Sequence, residues 1–259
     1  MKTVGNKITL NLISNEKVNV KGVIAPIEDM SPNFHEEWDA LANLRIHEPE
    51  KEYFSSVFHA FLPNNPVAVG ECWQVEETGA LELLRQLNPN PNLDMHIDIG
   101  DSSGLWACLL AYNDQHAHIV FRIHAEFALK DGWFTPSHFA GDLIIDRINE
   151  DVVYFQQHVP DKNWFDVNWK KHKDESGYST GGGVCPKIEL YGGTRDVLKD
   201  TEYTACITRE KAEHILIQKF YKSQRIEWLP FEEAYEIAQA EQKPIHAISI
   251  AGPLDDEAC

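Results

Sequence analysis

Two groups of residues in this chain could do chemistry. The first is a cysteine at the end of an acidic loop, Leu254-Asp255-Asp256-Glu257-Ala258-Cys259. A thiol attacks as its thiolate, and proteins that use one lower its pKa at a helix N-terminus, where unpaired backbone N–H groups favour negative charge. The second group is a row along one extended segment. Residues two apart share a face of a strand, so His116, His118, Arg122, His124 and Glu126 point one way, while Ala117, Ile119, Phe121, Ile123, Ala125 and Phe127 point the other. A His-x-His pair on a strand is a common metal-ligand arrangement, with His96 and Asp98 available from a neighbouring run. From His118 to Arg122 the chain rises roughly 13 Å at about 3.3 Å per residue, so the two ends of the row cannot meet at one ion without a strong bulge. Arg122, His124 and Glu126 are therefore read as a hydrogen-bonded or ion-paired face that organises a domain interface, with a ligand or metal face as the alternative.

Other chemistries lack their residues. No Gly-x-Ser-x-Gly elbow is present, and Ser137-His138 reads as a turn. Asp255 and Asp256 are adjacent, so they diverge in an extended loop and make a poor two-carboxylate pair; they are read as groups that tune the neighbouring thiol or are simply solvated. The five cysteines, Cys72, Cys108, Cys185, Cys206 and Cys259, are widely spaced and contain no Cys-x-x-Cys, which argues against a disulfide scaffold and a zinc ribbon. Cys72 beside Trp73 and Cys108 beside Trp106 and Leu109 read as small buried hydrophobes, and none of the first four cysteines is expected to be catalytic. No window fits the ligand pattern of an EF-hand, and no metal cofactor is expected.

The elements that must position these residues belong to an ordinary folded chain of 259 residues, 43% apolar and 10% aromatic. A net charge of −18, from 41 acidic against 23 basic residues, repels phosphate backbones, so nucleic acid is not an expected partner. No apolar run approaches the roughly 18 to 20 residues needed to span a bilayer, and no secretory leader is seen, so a soluble protein of unknown location is expected. Lys7–Ile13 and Val18–Ile24 alternate and read as a strand pair; Ser31 reads as the N-cap of a helix carrying Phe34, Trp38, Leu41 and Leu44. Gly79–Leu87 reads as a short amphipathic helix. Further strands are expected over 93–99, 105–112, 117–129, 139–148, 152–158, 165–169 and 188–191, in antiparallel order because short Asn, Asp and Gly turns separate them. The Gly-rich stretch 175–183 reads as a mobile surface loop. Thr208 is a candidate N-cap for a helix with Ala212, Ile215, Leu216 and Phe220 on one face. Phe231 to Gln242 has helical spacing and is closed by Pro244, and Ile245–Ile250 is a short apolar β-run. The expected fold class is α+β: an antiparallel β-rich domain with a few helices over residues 1–222, then the first helix and strand of a second domain over 223–259.

A helix, a strand and a loop presenting a cysteine is how thioredoxin-like domains begin. The tail Trp228-Leu229-Pro230-Phe231-Glu232-Glu233-Ala234, with Lys243 and Leu254 to Cys259, resembles the stretch of the selenoprotein N family that leads into its Ser-Cys-selenocysteine-Gly motif; Ala258 stands where that motif has Ser. A second block resembles the same family: Phe121-Arg122-Ile123-His124-Ala125-Glu126-Phe127, then Trp133-Phe134-Thr135-Pro136, Phe139 and Gly141. The similarity runs from about residue 70 to the end. It implies a thioredoxin-like selenoprotein, a thiol-disulfide or selenenylsulfide oxidoreductase linked to redox and calcium homeostasis, acting on a thiol/disulfide protein or a peroxide. Cys259 would be the catalytic partner of a selenocysteine at the next position, the codon there being UGA read as a stop. Eukaryotic members sit in the endoplasmic reticulum membrane, and animal members carry an EF-hand that this chain lacks. Without the helix that follows, and after three acidic residues, Cys259 is expected to be unreactive in the 259-residue form.

Overall fold

The computed structural model describes residues 6–13, 17–26, 45–93, 104–129, 132–136, 138–160, 164–169, 178–221, 225–226 and 228–247. The helix expected after Ser31, the strand expected at 93–99 beyond Leu93, and Asp255, Asp256 and Cys259 lie outside these residues. Along the chain, strand β1 (Lys17–Ile24) is followed by β2 (Glu50–Phe54), helix α1 (Ser55–Phe58), β3 (Cys72–Gln74), helix α2 (Glu77–Leu87) and β4 (Pro91–Asn92). Next come β5 (Leu105–Tyr112), β6 (His116–Ile123), β7 (Glu126–Leu129), β8 (Gly132–Pro136), β9 (Phe139–Asp146) and β10 (Asp151–His158). The chain continues with β11 (Trp164–Trp169), β12 (Tyr178–Val184), β13 (Ile188–Gly193), helix α3 (Val197–Asp200), β14 (Ala205–Cys206), helix α4 (Arg209–Phe220) and helix α5 (Phe231–Glu241).

These strands make two antiparallel sheets, so the protein is α+β. The larger has nine strands in the order β14-β5-β6-β9-β10-β13-β1-β2, with β3 pairing β5; the smaller has five in the order β12-β11-β8-β7-β4. The inward set of β6, Ala117, Ile119, Phe121 and Ile123, joins Phe58, Phe61, Leu83, Leu84 and Phe155 in the main core. The rings interlock: Phe61 and Phe121 lie 4.6 Å apart and Phe58 and Phe155 5.1 Å apart. Offset and edge-on ring pairs of this kind add about 0.5–1.5 kcal/mol each beyond their burial. Phe121 fits because its cross-strand partner is Gly141, where a Cβ would lie 2.0 Å from the Phe121 ring.

The other face of the large sheet is covered by α4. The Thr208 hydroxyl caps this helix by accepting from the Lys211 N–H at 3.3 Å, and Ala212, Leu216 and Phe220 are its buried side chains, one per turn. Ala212 and Leu216 meet Cys108, Leu110 and Val120 on β5 and β6, while Phe220 stacks on His124. Among the described residues no helix is long and apolar enough to cross a membrane.

Three expectations are corrected. The pair 7–13 with 18–24 does not form: β1 pairs with β13 and β2, and Ile8 makes an isolated bridge to Val67. Ile8, Leu10 and Leu12 are nonetheless buried in alternation, which defines a face and leaves the partner open. The segment 117–129 is two strands in different sheets, broken at His124 and Ala125. The Gly-rich stretch is the strand β12, paired along β11 through backbone groups that need no side chain. At the tail, α5 forms as expected and ends at Gln242 in the left-handed region, while residues 245–247 carry no strand and 248–250 lie outside the described residues.

Candidate functional site

The polar face of β6 meets α4, β9 and β10 around a cavity of about 560 Å³ lined by Arg122, His138, Asp142, His158, Arg195 and Arg209, among others. Each strand contributes by alternation: Arg122 comes from β6, Asp142 from β9 and His158 from the end of β10, while Arg209 opens α4. Asp142 and Val120 are register partners, which sets the Asp142 carboxylate beside His118.

Asp142 is the electrostatic centre. One of its oxygens, Oδ1, takes both the His118 Nε2 at 2.6 Å and the Arg209 Nη2 at 2.5 Å. Burial alone would raise this carboxyl's pKa, but the hydrogen bond and charge from His118, joined by Arg209, outweigh it and hold the group below the usual carboxylate range. Arg209 also reaches Glu213 one turn on, at 3.8 Å. The arginine thus ties the first turn of α4 to the sheet.

Arg122 and His124 are brought together. The Arg122 Nε–H donates to His124 Nε2 at 2.9 Å, and the guanidinium lies over the Tyr221 ring at 5.6 Å. His124 is enclosed and stacked on Phe220, with centroids 3.5 Å apart and planes 8° from parallel. Its burial first, and then the Arg122 charge and His138, push its pKa well below the ordinary histidine value, so the ring is neutral and its Nε2 lone pair is what the guanidine donor meets. Burial and Arg122 depress His138 in the same sense. Glu126, across the break in the other sheet, is buried and accepts from Asn92 Nδ2 at 2.7 Å.

The row expected along 116–126 is divided between the two sheets, and its members have different partners. His118 is held to Asp142, Arg122 to His124, and Glu126 to Asn92. Among the described residues no group of three His, Cys, Asp or Glu side chains could hold a metal ion, and His96 and Asp98 lie outside them. The sequence reading missed Asp142, His158, Arg195 and Arg209. Asp142 left a signal: a carboxylate in the middle of an apolar strand has to find a cation or a donor when buried. The arrangement can hold a small polar or anionic molecule against arginine donors.

No family model matches the chain, and no solved structure matches it. Three proteins named Selenoprotein N do. That of Danio rerio is 30% identical over 241 residues, 79% of this chain and 42% of the relative. That of Mus musculus is 28% identical over 241 residues with the same coverage, and that of Homo sapiens 28% over 279 residues, 86% of this chain and 46% of the relative. The chain spans less than half the length of these curated relatives. The Danio rerio relative is 30% identical across more than two thirds of the chain's residues, and this chain belongs to the selenoprotein N family.

Proposed function

We propose that this chain is part of a thiol or selenol oxidoreductase in which Cys259 supplies one half of the redox pair. The observation that carries the reading is the family itself, since selenocysteine is a residue whose use is redox chemistry and the tail resembles the approach to it. In this reading residues 1–222 form the β-rich domain and 223–259 begin a thioredoxin-like one, with α5 as its first helix and Asp255 and Asp256 tuning the thiol. A selenolate or thiolate beside Cys259 attacks a protein disulfide or a peroxide; Cys259 then closes a selenenylsulfide or disulfide, which an external thiol reduces. A place in calcium homeostasis belongs to the same proposal. The test is the codon that follows Cys259 together with the intact mass of the native protein. A UGA with an open frame beyond it and a mass above 29.5 kDa support the reading; an ordinary stop and a mass of 29.5 kDa overturn it.

The cavity favours a second reading, a binding role for the β-rich domain. Three arginines line it, which suits a carboxylate or phosphate. Small anions of those classes should raise the melting temperature, and Arg122→Ala should abolish the rise.

A further inference from the structure

Cys72 and Cys108 are far apart in sequence and face each other in space: they are register partners across β3 and β5. The ladder shows which kind of pair they make. Leu109 N–H donates to Glu71 C=O at 3.2 Å and Val75 N–H to Leu105 C=O at 3.0 Å, so alternation makes Trp73 and Ala107 a hydrogen-bonded pair and leaves Cys72 and Cys108 a non-hydrogen-bonded one. Such pairs bring Cα atoms to about 4.5 Å, within the roughly 4.4–6.8 Å that a disulfide spans.

The two sulfurs differ in access. Cys108 is fully buried beneath α4, whereas Cys72 is half-buried and lines a surface hollow with Lys219, Glu71 and Lys7. Lys219 lies over the Trp106 ring at 5.0 Å and carries the cation nearest in effect to Cys72; Glu71 opposes it and is itself paired with Lys7 at 2.9 Å. We propose that Cys72 and Cys108 form a second redox site, a dithiol that small disulfides oxidise to a cross-strand disulfide, with Cys72 attacking and Cys108 resolving. The neighbouring Cys108 thiol lowers the pKa of Cys72, while Cys72 and burial raise that of Cys108, so the accessible sulfur is the one that ionises. By contrast, burial pushes the Cys185 thiol up to about 11.

The electron count closes. The Cys72 thiolate attacks one sulfur of a disulfide RSSR, its S–S bond breaks, and one RS⁻ leaves as Cys72–SR forms. Cys108 then gives up its proton and attacks the Cys72 sulfur, displacing the second RS⁻. The two cysteine protons are taken up by the two leaving thiolates, so the protein loses two electrons and RSSR becomes two RSH.

The test uses the whole chain with oxidised glutathione at neutral pH, followed by alkylation, digestion without reduction and peptide mapping. The expected product is a Cys72 peptide joined to a Cys108 peptide, with two glutathiones released per chain. In Cys108→Ala, glutathione should remain on Cys72, arriving there about tenfold faster than on Cys185. A map in which both cysteines stay as thiols, or in which Cys72 joins Cys206 instead, overturns the proposal, and the wild-type map decides even if the variant folds poorly. Cys259 is mapped separately, so failure here leaves the reading of the chain end untouched.

Discussion

Helices α4 and α5 are nearly the same length, 12 and 11 residues, yet one is built into the fold and the other lies open. Helix α4 has a side-chain N-cap and buries three residues; α5 has neither, and Phe231 and Tyr235 are 64% and 54% exposed. Both have apolar residues at helical spacing. What separates them is a receiving surface: α4 finds Cys108, Leu110 and Val120 on the large sheet, whereas the Phe231 and Tyr235 rings of α5 stack on each other, 6.4 Å apart. Periodicity makes a helix legible, but burial depends on what the rest of the chain presents.

The largest effect should come from the buried helix. Phe220→Ala removes a ring stacked on His124 and should cost about 3–5 kcal/mol in urea unfolding, whereas Phe231→Ala should change stability by less than about 0.5 kcal/mol. Similar losses for the two would abolish the contrast.

Acid sharpens it next, because the end of α4 closes over His124, with His138 close by. Both have folded pKa values well below their ordinary value. Below about pH 6.5 the unfolded chain takes up protons that the folded chain refuses, so stability is full above that pH and falls as the pH drops, by up to about 1.4 kcal/mol per pH unit for each histidine. Urea midpoints from about pH 8 to about pH 5 check this, and His124→Phe should lower the slope by one proton.

A smaller difference lies in the caps. Thr208→Ala removes the acceptor for the Lys211 N–H and should cost about 1 kcal/mol, whereas Pro230→Ala before α5 removes no side-chain cap and should move the melt by less than about 0.5 kcal/mol.

Much of this was legible in the residues themselves. Leu105 to Tyr112 is a continuous apolar run bounded by Gly104 and Asn113, and it is a strand over those residues. Thr208 and the spacing of Ala212, Leu216 and Phe220 announced α4 and its face. The alternation through 116–127 correctly divided core from polar side, yet concealed the break at His124, because side chains keep alternating when the backbone changes sheets. Gly181, Gly182 and Gly183 read as a loop because a strand there owes its order to pairing with β11 and not to its own preference. The cavity drew on β6, β9, β10 and α4, and the Cys72–Cys108 register depends on β3 meeting β5; neither leaves a local pattern.

The break at His124 and Ala125 makes the polar row a lever across a joint. Arg122 is anchored in the nine-stranded ladder and Glu126 in the five-stranded one, with the His124 N–H to Gly104 C=O bond at the pivot. The two ends of the row thus answer to different frameworks: Arg122 faces the cavity from the larger sheet, while Glu126 is tied through Asn92 to the smaller one.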